Sequence, residues 1–312
     1  MTCRSLVWSL AARTARPCCI LVASVLGAAL SPAAAQVRPT PPVAERRPHV
    51  DTLFGDVRTD DYFWLRQKTD PAVRAYLEAE NAYADQVMAP IAPLRETLYR
   101  EMLGRIRQTD LSVPYREGGF YYYTRTEEGK QYSIYCRKRG SLDEPEEVLL
   151  DLNQLAVGQT FMGLGAFRVS DDGNLLAYSL DTTGFRQYAL FVRDLSTGQV
   201  LPDRAARTGS VAWAADNHTL FYTVEDPAKR QYRLYRHALG GPDELVHEEA
   251  DERFGVSVSR TRSGRYLVLS IGSLTTSEER VLPADQPAGT FRVVAPRRQD
   301  REYAVDHRGD EF

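Results

Sequence analysis

Few residues in this 312-residue chain have types and spacings that could carry out chemistry. Its five histidines, His49, His218, His237, His247 and His307, are scattered, and none stands beside a serine or cysteine in a recognisable nucleophile setting. They therefore read as surface or packing residues and not as general bases. The adjacent carboxylates Asp60-Asp61 could suggest a metal ligand pair, but Tyr62-Phe63-Trp64-Leu65 follows them directly. That order reads better as a charged turn leading into an aromatic plug, with Asp61, Tyr62 and Trp64 as candidates for packing onto another domain. No metal site is assigned. The sequence contains no G-x-S-x-G elbow, no H-E-x-x-H, no C-x-x-C and no phosphate-cradling glycine loop, so no catalytic residue and no cofactor are assigned either.

Cysteine placement is equally restrictive. Cys3, Cys18 and Cys19 lie in the first 35 residues, where Arg4, Arg13 and Arg16 precede an uncharged run from Cys18 to Leu30 and then Ser31-Pro32-Ala33-Ala34-Ala35. This is the pattern of an export signal cleaved after Ala35, which implies a periplasmic or secreted product with no membrane attachment after cleavage. An uncleaved anchor is the alternative, though the run is short for a bilayer span. Removal of the leader leaves Cys136 alone, so no internal disulfide is available. Its alternation with Tyr135 and Arg137 makes it a small core residue, with a reactive thiol as the alternative. The mature chain would hold 36 basic against 42 acidic residues. Such a surface lacks the basic stripe that phosphate backbones require, and nucleic acid is not an expected partner.

The elements that would position any site follow from periodicity. Residues 36–47, with Pro39, Pro41 and Pro42, form an extended arm. Residues 48–107 are helical: Asp70 caps a helix from Ala72 to Met88 with Pro71 in its first turn, and a second runs from Pro93 to Arg107 with Leu94, Leu98, Met102 and Ile106 on one stripe. From 108 to 312 the period falls to two, and short apolar runs alternate with Gly, Asp and Asn turns.

Internal repetition dominates this second part. Gln131-Tyr132, Gln187-Tyr188 and Gln231-Tyr232 each open a strand-like run, with the tyrosines 56 and 44 residues apart. Asp172-Gly173-Asn174-Leu175 and Asp216-Asn217-His218-Thr219 keep the same 44-residue step, and Ser263-Gly264-Arg265-Tyr266 is a looser third copy. A unit of about 45 residues with several strands is the size of one four-stranded propeller blade. Such a sheet has two apolar faces and buries both only between neighbours. The expected fold class is all-β, an incomplete propeller of about four to five blades, near 112–158, 160–205, 206–250 and 252–297, with the start of another at 298–312. Glu302 to Phe312 is expected to form a hairpin. A β-sandwich with accidental self-similarity is the alternative architecture.

Several long motifs carry a family resemblance. Phe54-Gly55-Asp56-Val57-Arg58-Thr59-Asp60-Asp61-Tyr62-Phe63-Trp64-Leu65-Arg66 resembles the prolyl oligopeptidase family. Tyr76-Leu77-Glu78-Ala79-Glu80-Asn81, Gly104-Arg105-Ile106, the run from Tyr122 to Tyr132, Asp181-Thr182-Thr183-Gly184 and Val305-Asp306-His307-Arg308-Gly309-Asp310 resemble its oligopeptidase B branch.

The resemblance implies a seven-bladed propeller joined to an α/β-hydrolase domain, with residues 36 to about 107 belonging to the hydrolase part. It implies a serine peptidase whose Ser-His-Asp triad cuts short peptides after Lys or Arg, and whose propeller excludes folded proteins. None of the triad positions can be matched here. The chain is therefore expected to be inactive alone, its partners being short basic peptides in the intact enzyme and a C-terminal hydrolase domain missing from these residues. Because opening parts the two domains, Arg125, Glu127 and Glu128, on the Thr-Glu-Glu-Gly loop, are candidates for an interdomain latch, the alternative being a solvated hairpin tip. A non-catalytic periplasmic propeller acting as a binding or scaffold protein is the competing function, and pairing with a separately encoded catalytic half is a third.

Overall fold

A computed structural model describes residues 39–312. The signal reading for 1–35 and the first residues of the arm lie outside the described residues. The chain divides into two compact units between Arg105 and Ile106.

In the first unit, β1 (His49–Leu53) and β2 (Asp56–Asp60) form an antiparallel hairpin whose tip is Phe54-Gly55. Both tip residues have positive φ, 52° and 84°, the conformation that matches a two-residue reversal to the twist of the strands. A 3-10 turn over Phe63–Arg66 leads to α1 (Pro71–Met88) and α2 (Ala92–Gly104). Asp70 caps α1 by accepting a hydrogen bond from the Ala72 N–H at 2.8 Å, and Pro71 takes the first turn, where no N–H is needed. The second helix ends three residues before the expected Arg107. Gly104 closes it, and the Arg105 N–H turns back to the Met102 carbonyl at 3.1 Å. Leu94, Leu98 and Met102 lie on the exposed face of α2.

The second unit contains four antiparallel sheets in chain order. The first holds β3 (Asp110–Leu111), β4 (Tyr115–Glu117), β5 (Phe120–Thr126), β6 (Ile134–Arg139) and β7 (Glu147–Asp151), followed by a short helix, α3 (Leu152–Leu155). Its innermost position is shared by β3 and β4, both paired to β5 and separated by Pro114, which has no N–H to give to the ladder. The second sheet holds β8 (Gly163–Val169), β9 (Leu175–Asp181), β10 (Ala189–Asp194) and β11 (Val200–Ala205). The third holds β12 (Thr208–Trp213), β13 (Thr219–Glu225), β14 (Gln231–Ala238) and β15 (Asp243–Glu248). The fourth holds β16 (Gly255–Arg260), β17 (Tyr266–Gly272), β18 (Ser277–Pro283) and β19 (Arg292–Val293).

No single core serves this unit. One apolar cluster joins sheets one and two through Phe120, Leu150, Leu176 and Tyr178. A second joins sheets two and three through Ala177, Leu190, Trp213 and Leu220, and a third joins sheets three and four through Phe221, Leu234, Leu267 and Ile271. The second strand of each sheet is consequently apolar on both faces, as in Leu176-Ala177-Tyr178 and Leu220-Phe221-Tyr222. Sheets that bury both faces against successive neighbours are the physical content of a propeller, and the all-β propeller expectation holds.

Two details differ from expectation. Gln231-Tyr232 opens β14, but Gln131-Tyr132 and Gln187-Tyr188 sit in the turns before β6 and β10. Tyr132 is drawn off the ladder by Asn153, whose side chain accepts from its N–H at 2.9 Å and donates to its carbonyl at 2.8 Å. The expected hairpin at 302–312 is reduced to one bridge, Arg308 to Glu311. Upstream of it, Tyr303 is bonded instead to the fourth sheet: its N–H donates to Ser277 Oγ, and its hydroxyl accepts from the Glu279 N–H at 3.0 Å.

Candidate functional site

The ends of the inner strands converge on an axial cavity. Its larger part, about 640 Å³, is lined by residues including Glu117, Phe120, Asp171, Arg262, Tyr266 and Asp285. An adjoining part of about 520 Å³ is bounded by β4, the ends of β8 and β12, and β16. The repeat itself builds this wall. Trp213 Nε1 donates to the Arg168 carbonyl at 2.9 Å, and Arg260 Nη1 donates to the Trp213 carbonyl at 2.9 Å, so equivalent positions of sheets two, three and four are linked in series. Arg260 also faces Asp171 at 3.2 Å. The result is a charged cavity wall formed by strand ends.

A second cluster surrounds the β5–β6 hairpin. Arg125 pairs with Glu127, and its Nε lies 3.0 Å from Glu146 Oε1. Lys130 reaches Glu127 at 2.6 Å, and the Tyr123 hydroxyl donates to Glu146 Oε2 at 2.6 Å. The hydrogen bond to Glu127 raises the Arg125 guanidinium above its ordinary range. Lys130 and then Arg125 hold the Glu127 carboxyl below the usual carboxylate range. Burial pushes Glu146 upward, but the hydrogen bonds from Tyr123 and Arg125 outweigh it and leave a net lowering.

Of the three sequence candidates here, Arg125 and Glu127 are therefore brought together within one sheet. Glu128 is exposed, and among the described residues it is anchored only by its N–H to Thr109 Oγ1 at 3.1 Å. Glu146 and Tyr123 were missed. Glu146 is 21 residues from Arg125 and reaches it only through the pairing of β5, β6 and β7; the acidic run Asp143-Glu144-Pro145-Glu146-Glu147 was the available signal.

In the first unit, Trp64 Nε1 donates to the Glu45 carbonyl at 2.9 Å, and the Arg47 guanidinium lies 4.3 Å over its ring. The Arg47 N–H donates to the Asp61 carbonyl at 2.8 Å, and the Arg46 side chain lies 3.8 Å from the Asp61 carboxylate. The structure thus places Asp61 and Trp64 against the extended arm of their own unit, while Tyr62 is exposed.

Cys136 is buried with Tyr123 and Ile134, and burial pushes its thiol up to about 12. His237, His49 and His307 contact other side chains, whereas His218 is exposed and His247 half-buried. His237 Nε2 is 2.8 Å from Asp203 Oδ1, joining sheets two and three, and His49 stacks on Phe63 with ring centroids 3.8 Å apart. His307 Nδ1 lies 2.9 Å from Ser263 Oγ, but the ring is buried between Tyr266 and Phe312, and Ser263 Oγ also accepts from the Arg265 N–H. That serine shapes a turn.

Comparison with known proteins agrees with this geometry. The pattern of the prolyl oligopeptidase N-terminal β-propeller domain matches residues 41–312. Dipeptidyl aminopeptidase BI of Pseudoxanthomonas mexicana is 40% identical over 94% of this chain and 44% of its own length. Protease 2 of Moraxella lacunata is 37% identical over 87% of this chain and 41% of its own. Oligopeptidase B from Leishmania major superposes with a TM-score of 0.79 at 30% identity, covering 87% of this chain and 42% of that one. The chain thus spans less than half the length of these relatives. On the matched span, the stacked sheets and the shared sequence, it belongs to the prolyl oligopeptidase family, whose N-terminal β-propeller portion it carries.

Proposed function

We propose that this chain is the substrate-screening part of an oligopeptidase B-like serine endopeptidase that hydrolyses short peptides after Lys or Arg. In this reading the triad belongs to an α/β-hydrolase portion outside these 312 residues, and the chain does not hydrolyse peptides by itself. The supporting observation is the cavity at the strand ends, tied in series by Trp213 and Arg260, within the N-terminal propeller portion of a peptidase family; in this reading it screens substrates by size. The likeness to oligopeptidase B and to Protease 2 supports the peptidase reading, and cleavage after Lys or Arg is what the family resemblance of the sequence motifs implies. Asp61, Tyr62 and Trp64 would pack toward the hydrolase portion. Arg125, Glu127 and Glu128 would contribute to a latch between the two parts, with Glu128 as the reaching group because Arg125 and Glu127 already engage each other. Cleavage after Ala35 would deliver the product to the periplasm or medium.

The test is to follow the reading frame beyond the Phe312 codon and assay the longest product on a dibasic fluorogenic peptide and on a folded protein. Further repeats of about 45 residues, a G-x-S-x-G segment and turnover of the peptide alone support the proposal. A long product that degrades both equally, or a genome with no hydrolase portion to join, contradicts it.

A further inference from the structure

The smaller part of the axial cavity carries positive charge that the peptide-screening role does not account for. Arg116, Arg168, Arg260 and Arg262 line it, against only Glu117 and Asp171. The whole chain is acidic, with 42 carboxylates against 39 basic residues, so this wall departs from the surface around it. Asp171 is already engaged by Arg260 at 3.2 Å. Arg260 also donates from Nη1 to the Trp213 carbonyl and from Nη2 to the Gly264 carbonyl, while its buried Nε has no partner among the described residues. Arg168 donates only to the neighbouring Phe167 carbonyl, at 2.9 Å, and among the described residues Arg116 and Arg262 have no carboxylate within ion-pair distance. Three guanidinium groups, on β4, at the end of β8 and in the turn after β16, thus make no ion pair among the described residues around one concave space, and the Asp306 carboxylate near Arg262 is taken up by the Arg262 and His307 N–H groups. All three side chains are open to solvent, and the planar guanidinium fork matches the oxygens of a phosphate or carboxylate.

We propose that this cavity is a binding site for a small multivalent oxyanion, held by Arg116, Arg168 and Arg262 with Arg260 behind them. The shared chemistry is that of a polyphosphate or a polycarboxylate. The site is independent of the peptidase reading, because it rests on the charge balance of the wall and needs no hydrolase portion.

Isothermal titration of the 312-residue chain with inorganic tripolyphosphate, and separately with citrate, at low ionic strength tests it. The expected result is saturable binding of at least one anion, the preferred one identifying the source as phosphate or carboxylate. Arg168→Ala and Arg262→Ala should each weaken it roughly tenfold or more while leaving the thermal melt in place. Arg116→Gln, on exposed β4, gives the same reading should either alanine variant fold poorly. Asp171→Asn should tighten binding, because it removes a carboxylate that repels the anion, and Arg233→Ala, on the distant β14, should change nothing. Absence of binding by both anions at millimolar concentration, or binding unchanged in an Arg168→Ala/Arg262→Ala chain that melts like the parent, would overturn the proposal.

Discussion

The guanidinium of Arg137, on β6, donates through Nη1 to the carbonyl oxygen of Gly173, in the turn between β8 and β9, at 2.7 Å. Its Nε donates to Glu147 at 2.7 Å, and its Cζ lies 4.0 Å from the centroid of the Phe120 ring. One buried cation therefore ties the first sheet to the second. Arg137→Met should destabilise the second unit by about 2 kcal/mol, since it strands the buried Gly173 carbonyl, while the part-exposed Glu147 carboxylate is rehydrated. Urea unfolding followed by tryptophan fluorescence measures this, and a loss below about 1 kcal/mol would show that the tie is incidental.

Gly173 meets a second constraint at the same seam. Its φ is +77°, and an added Cβ would stand 2.6 Å from the Phe120 ring. Gly240 has nearly the same φ, +76°, with nothing near its missing Cβ. Gly240→Ala should therefore cost only the backbone term, about 1 kcal/mol, and Gly173→Ala about 1–3 kcal/mol more from overpacking. Equal melting temperatures for the two variants would contradict the close approach at Phe120.

Cys136 should be inert in the folded chain. Burial first, with the nearby Glu146 charge adding to it, raises its thiol to about 12, far from the ordinary value of about 8.5. A chromogenic disulfide reagent at about pH 8 should find no thiol in the native protein with its leader removed and one after denaturation. Rapid labelling of the native state would contradict the packed position.

Acid stability should depend on Asp181. Burial pushes this carboxyl up, but hydrogen bonds from Thr183 N–H and Oγ1 and from the Arg186 N–H outweigh it and hold it below its ordinary value. A depressed folded value contributes stability that is fully present above the unfolded value of about 3.9 and is lost as pH falls through the folded value. The urea midpoint of the parent should consequently fall more steeply between about pH 5 and pH 2 than that of Asp181→Asn. Parallel curves would remove Asp181 from the account.

Much of the architecture was legible because it is repetitive. The turn-and-strand signature at Asp172, Asp216 and Ser263 lands in the structure between first and second strands every time, since a blade fixes the same local geometry in each copy. The seams were not legible. Arg137 to Gly173, Trp213 to Arg168 and Arg260 to Trp213 join residues 36 to 47 apart, and no local pattern announces which side chain will cross. The site was legible only in part for the same reason: Arg125 and Glu127 are neighbours on one hairpin, whereas Glu146 reaches them across two strand pairings. The unpaired arginines of the cavity were invisible because they come from β4, the end of β8 and the turn after β16.

The most direct measurement of the central claim is hydrolysis of a dibasic fluorogenic peptide by the purified 312-residue chain. The account predicts no turnover above buffer, because in the proposed reading the catalytic triad lies outside these residues. Steady turnover that co-purifies with the chain and is abolished by a serine-reactive inhibitor would contradict it.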